Sequence, residues 1–258
     1  MPVLTRLRAW RRRRVLERHP VDDDAWHATL ATLPLLAALD RDGQQRLREL
    51  ATLFLHAKRF YGAHALTVDP PMRLAIAAQA CLPVLNLGFD WLRGWTTVVL
   101  YADSFLVDLE EADADGVVHA GQDERIGEAW ERGPLVLSWA DARPGAEPYG
   151  EGSNVVLHEI AHKLDQLDPD SEGRPPLHRG MDPAAWSRDF SRAYTELCAA
   201  VDRGEPTWID PYASAAPGEF FAVLSEHFFV EGAALQVEAP AVYAQLRAFY
   251  RQDPATRG

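Results

Sequence analysis

Only two cysteines, Cys81 and Cys198, occur in 258 residues. So few thiols exclude a disulfide-stapled scaffold and point to a reducing cytoplasm. Both fall in apolar helical patterns, which predicts buried free thiols. Positive charge is also scarce. Lys and Arg total 26 against 38 Asp and Glu, for a net charge of −12 and a pI near 5.2. Binding a phosphate backbone needs a basic surface, so direct contact with nucleic acid is not expected. No apolar run is long enough to span a membrane. Internal repeats are missing too.

One local excess breaks this pattern. Arg6, Arg8, Arg11, Arg12, Arg13, Arg14 and Arg18 crowd the first twenty residues. A secretory signal would follow its basic residues with an apolar stretch. Here Val-Leu-Glu-Arg-His-Pro and then Val-Asp-Asp-Asp follow Arg14. Residues 1–20 therefore read as a basic arm. Two readings stand: a helix that docks on a membrane surface or a partner, or a solvated arm.

The hydrophobic share of 47% is ample for one core. A single domain is expected over 21–258, with a helical part over about 21–90 and a catalytic part over about 91–258. Residues 24–61 read as helices, one capped by Asp40 and carrying Leu47, Leu50, Leu53 and Phe54. Asp69-Pro70-Pro71 opens another, because proline is tolerated in a first turn. Thr96–Tyr101 is β-branched and apolar, as a strand should be. Phe105–Val107, Val117–His119 and Leu135–Trp139 are further strand candidates. Helices dominate again from Ala184 to Arg251. This order predicts a mostly helical α+β fold with a small mixed sheet.

The chemistry concentrates in Val155–Asp165, which contains His158-Glu159-Ile160-Ala161-His162. On a helix, His158 and His162 share a face and can grip one zinc ion. Glu159 is then placed as the base for a metal-activated water, as in His-Glu-x-x-His peptidases. The preceding Gly152-Ser153-Asn154 offers a helix start. Two histidines could instead be satisfied core residues, but that leaves a glutamate unexplained in an apolar setting.

A catalytic zinc keeps three protein ligands, so a third is required. Asp168 lies ten residues after His158, where the metzincin pattern ends. That pattern needs a glycine at the position held by Asp165. Glu219 is the better candidate. It opens the aromatic run Glu219–Phe229 with Glu226 two turns on, and both carboxylates share nearly one face. Burying them is costly unless a cation or a hydrogen bond meets them. Glu219 would ligate, while Glu226 would orient a ligating imidazole. Asp165 is a further carboxylate expected behind the ligands. His227 is a rival ligand but points away from the Glu219 face.

At these residues the chain resembles the Mlc titration factor A family of zinc peptidases. The resemblance is carried by Met72-Arg73, Ile76–Cys81, Asn154-Val155-Val156, His158–Asp165, Asp210–Ala213, Glu219–Phe229 and Phe249–Pro254, across about residues 50–254. It implies a zincin-like, gluzincin-type fold similar to the catalytic domain of anthrax lethal factor. It also implies one zinc ion per chain, held by His158, His162 and Glu219, with Glu159 as general base. Tyr212 is implied as the hydrogen-bond donor to the tetrahedral intermediate. Family members bind a transcriptional repressor, which makes such a repressor a possible partner.

A peptide substrate, a monomer and aminopeptidase action are expected. The peptide would pair with an edge at Ile126–Trp130, and Glu128 would meet its free amino group. The alternative is a regulatory protein-binding module whose metal site is structural or vestigial.

Overall fold

The computed structural model describes residues 2–103, 133–144, 153–168 and 172–257. The arginine-rich segment forms helix α1 (Pro2–Arg18), which lies against α4 (Arg41–Ala57). It is tied to the body through Arg12, which bonds Asp90 Oδ1 at 2.6 Å and sits over the Phe89 ring. Aspartates start the next helices by accepting orphan amide protons. Asp22 caps α2 (Asp23–Thr32), Asp40 caps α4 and Asp69 caps α5 (Pro70–Cys81). The short α3 (Pro34–Ala37) links α2 to α4.

Among the described residues three strands form one sheet in the order β1 (Arg59–Gly62), β2 (Thr97–Tyr101) and β3 (Leu135–Ser138), with both neighbouring pairs parallel. Two expectations are corrected here. Residues 59–62 are strand, although helix was expected up to Tyr61. The helix stops at Lys58, whose Nζ donates to Leu92 O and Trp95 O at 2.6 Å each, anchoring the chain beside β2. The sheet of the described residues is also parallel rather than mixed. Parallel neighbours need a crossover, and α5 supplies the one between β1 and β2. A mostly helical chain with this small sheet still fits the expected α+β class.

Trp139 opens helix α6 (Trp139–Ala142) instead of ending a strand, because Ser138 Oγ caps that helix. The strand candidates at 105–107 and 117–119, and the proposed edge with Glu128, lie outside the described residues.

Helices make up most of the rest: α7 (Val155–Asp165), α8 (Pro183–Asp202), α9 (Pro217–Val230), α10 (Gly232–Glu238) and α11 (Pro240–Tyr250). Helix α9 packs across α7, and nearly all of its residues are buried. Its Phe221 packs against Trp186 and Phe249, and its Phe228 against Tyr250. The tail returns to the amino-terminal helices: Gln252 Nε2 donates to Leu82 O at 2.8 Å, and Asn86 Nδ2 to Arg251 O at 2.6 Å. Cys81 is a buried free thiol, whereas Cys198 is only half-buried. Among the described residues no helix is long and apolar enough to cross a membrane.

Candidate metal centre

Helix α7 begins at Asn154, whose Oδ1 accepts from the Leu157 amide at 3.0 Å. It buries Val156, Leu157, Ile160, Ala161 and Leu164. His158, Glu159 and His162 stay half-buried on the other side. Helix α9 brings Glu219 to them in its first turn.

Three donor atoms meet there. Glu219 Oε2 lies 3.1 Å from His158 Nε2 and 3.4 Å from His162 Nε2, and the two Nε2 atoms are 3.1 Å apart. Ligand atoms around a tetrahedral ion with bonds of about 2.0–2.1 Å are separated by about 3.3–3.4 Å. The spacing and the N, N, O donor set therefore fit a metal ion. Among the described residues this is the one set of three His, Cys, Asp or Glu side chains gathered closely enough, within 4.8 Å, to hold one.

The electrostatics also favour positive charge at this point. Burial opposes a charged imidazole, but Glu219 and Glu226 outweigh it and push the His158 pKa up to about 10. Burial likewise opposes the Glu219 carboxylate, yet hydrogen bonds from His158 and His162 hold its pKa well below the carboxylate range. The far side of His158 is held as well. Glu226 Oε1 lies 2.6 Å from His158 Nδ1, and Glu226 Oε2 accepts from the Asn154 amide.

Glu159 follows His158 on the same helix and lies near both imidazoles. Burial raises its pKa, while His162 and His158 work in the other direction. Tyr212 sits on a short 3₁₀ turn (Pro211–Ser214) with 56% of its surface exposed. Partial burial and the nearby Glu219 carboxylate raise the pKa of its phenol.

The sequence pattern of the glucose-regulated metallo-peptidase M90 family matches residues 7–251. The chain belongs to that family. It is also 40% identical over 235 residues to Mlc titration factor A of Yersinia pestis (strain Pestoides F), covering 90% of this chain and 86% of that protein. Mlc titration factor A of Yersinia pseudotuberculosis (serotype O:1b, strain IP 31758) shows the same identity and coverage. The M90 match takes in α1 from residue 7 onward, ahead of the segments that carry the resemblance in the sequence.

The remaining candidates of this M90 chain lie elsewhere. Asp165 is buried and faces the loop after α7. Its Oδ2 accepts from Gly173 N at 2.8 Å, and its Oδ1 has no hydrogen-bond partner among the described residues. Burial pushes its pKa up to about 6. No hydrogen bond joins Asp165 to either histidine among the described residues. Asp168 is outside the donor set and lies 3.9 Å from Arg174 Nη2. His227 turns to Glu231, 3.5 Å away, and packs edge-on against Trp208.

Two supporting residues are not evident from the sequence pattern. Gln79 is buried on α5 and bonds the side chain of Asn154 at 3.0 Å. An amide on an otherwise apolar helix is the signal that could have exposed it. Gly173 adopts φ +72, and a Cβ there would lie 2.5 Å from Pro217 O, so only glycine lets this loop close on the start of α9.

Proposed function

We propose that the chain is a zinc-dependent peptidase of zincin-like, gluzincin-type architecture. In this reading His158, His162 and Glu219 hold the metal, Glu159 is the general base, and Tyr212 donates to the oxyanion. The observation that carries it is the meeting of two imidazole nitrogens and one carboxylate oxygen at mutual distances of 3.1–3.4 Å. Imidazole and carboxylate together suit zinc, and three protein ligands leave a fourth position open.

A zinc ion held by these three residues would supply Lewis acidity, which lowers the pKa of water towards about 7. Glu159 accepts the proton of the attacking water and passes it to the leaving amine. Its buried setting raises its proton affinity, which suits both halves of that task. Tyr212 is exposed on the Glu219 side, where its O–H donates to the developing oxyanion. Such a contact contributes about 2.7–4 kcal/mol in comparable sites. Glu226 accepts from His158 Nδ1, which leaves Nε2 as the ligating atom.

Within this reading the activity is that of an aminopeptidase acting in the cytoplasm. The group assigned to the substrate's amino terminus, Glu128, lies outside the described residues. The relatives' name, Mlc titration factor A, supports a second function, the binding of a transcriptional repressor. Binding alone would make the metal centre structural or vestigial, a role that needs no base at Glu159.

The deciding experiment measures the metal content of the purified protein beside hydrolysis of free-amine and amino-blocked peptides. Zinc near one per chain with cleavage of free-amine peptides alone is the expected result. Zinc without cleavage of any peptide would leave the regulatory reading, and absence of bound zinc would sink the peptidase assignment.

A further inference from the structure

Gln79 is 4% exposed, on a helix whose other buried residues are Met, Leu, Ala, Ile and Cys. A buried amide is tolerated when both of its ends are bonded. Nε2 of Gln79 donates to Ala75 O at 3.2 Å and to Ala142 O at 3.1 Å. Both N–H groups are thereby used, and Oε1 faces Asn154, whose Nδ2 donates to it at 3.0 Å. Asn154 Oδ1 meanwhile accepts from Leu157 N at 3.0 Å. The Asn154 side chain is therefore held at both ends.

The backbone of the same residue points towards the metal centre. Asn154 N donates to Glu226 Oε2, and Glu226 Oε1 lies 2.6 Å from His158 Nδ1. A continuous relay thus runs from α5, through the cap of α7, to α9 and back to His158. Its first link joins residues 75 positions apart and its third joins residues 68 apart, so it couples three helices distant in sequence.

We infer that Gln79 is a positioning residue for the metal centre, acting through Asn154 and Glu226 to fix the ring of His158. This rests on the zinc-peptidase reading only for its functional consequence. The relay itself is a set of hydrogen bonds of the fold and does not depend on that reading. Without Gln79 the Asn154 amide loses its acceptor and the cap side chain gains rotamers. The backbone N–H that grips Glu226 then loosens, and the partner of His158 Nδ1 loosens with it.

The test uses Gln79→Met, which keeps the volume and removes the polar ends, and Asn154→Ser, which keeps a capping oxygen and removes the amide. Two quantities are read on the full chain, with thermal unfolding as the check of fold. In metal-free protein, the residue-154 backbone amide should exchange with solvent about tenfold faster in Gln79→Met. Zinc affinity, measured by chelator competition, should fall about tenfold. Asn154→Ser should show changes of similar size, and the double variant should add no more than about twofold to either single one. Exchange and affinity at wild-type levels in folded Gln79→Met, or fully additive effects in the double variant, overturn the inference. If Gln79→Met does not fold, Asn154→Ser alone decides, and wild-type values there overturn it. A wild-type chain that binds no zinc would remove the peptidase reading, while the exchange rates would still decide the relay.

Discussion

Glu219 and Glu226 lie two turns apart on α9 and meet opposite nitrogens of one ring, His158 Nε2 at 3.1 Å and His158 Nδ1 at 2.6 Å. One helix thus supplies both a candidate ligand and the group that orients its neighbour. An acceptor on Nδ1 places the proton there and leaves the Nε2 lone pair for a metal.

Glu226→Gln should therefore disturb the centre without touching a ligand. Gln keeps an oxygen for one contact but adds an amide donor, so it cannot serve both His158 Nδ1 and the Asn154 N–H as the carboxylate does. Zinc affinity should drop about 10–100-fold, read by chelator competition. Wild-type affinity in the folded variant would show that the 2.6 Å contact has no influence on binding.

Glu159→Gln should hold zinc at wild-type stoichiometry and lose activity by about 100-fold or more, the usual range for removing a general base. Metal analysis and peptide turnover on the same sample check this. Undiminished turnover by the metal-loaded variant would exclude Glu159 as the base. Tyr212→Phe should also keep its metal and lower kcat more than it changes KM, since the lost hydrogen bond forms in the transition state.

Glu219→Ala and Asp168→Ala separate two ligand sets. The first should weaken zinc binding steeply, because a donor atom at 3.1 and 3.4 Å from the two imidazoles is removed. The second should leave affinity within about twofold, because Asp168 is outside the donor set and faces Arg174. Reversed effects would transfer the third-ligand role to Asp168.

Asp165 should give the metal-free protein a specific pH dependence. Burial raises its folded pKa to about 6 from an ordinary 3.8. Between those values the folded chain holds a proton that the unfolded chain has released. The contribution is thus fully present below about pH 4 and is lost as pH rises through 6. Asp165→Asn retains an acceptor for Gly173 N and does not titrate. From pH 4 to 7 its stability relative to wild type should rise by about 2 kcal/mol, as measured by urea unfolding. A difference that stays constant across that range would contradict the buried-acid assignment.

The motif helix is legible because a 3.6-residue period, a capping asparagine and an unbroken apolar face agree in Asn154–Asp165. Glu219 and Glu226 are legible for an energetic reason, since two carboxylates among phenylalanines demand partners. Strand β1 is not. Arg59-Phe60-Tyr61-Gly62 is short, mostly exposed, and directly follows an amphipathic helix. Parallel pairing is equally hidden, because it depends on how α5 crosses over and not on the composition of any strand. The Gln79–Asn154 bond spans 75 residues, and no local pattern encodes a partner so remote.

His158 and Glu219 are 61 residues apart, and that distance has a consequence for biosynthesis. A ribosome delivers both imidazoles long before the carboxylate that completes their grip. Until α9 has emerged and crossed α7, the nascent chain carries the full His-Glu-x-x-His signature with only two of its three donors. On the proposed ligand set, secure capture of an ion therefore waits until residue 219 has been made and α9 has folded onto α7. Chains aborted before residue 217 would lack the carboxylate that the proposed centre requires.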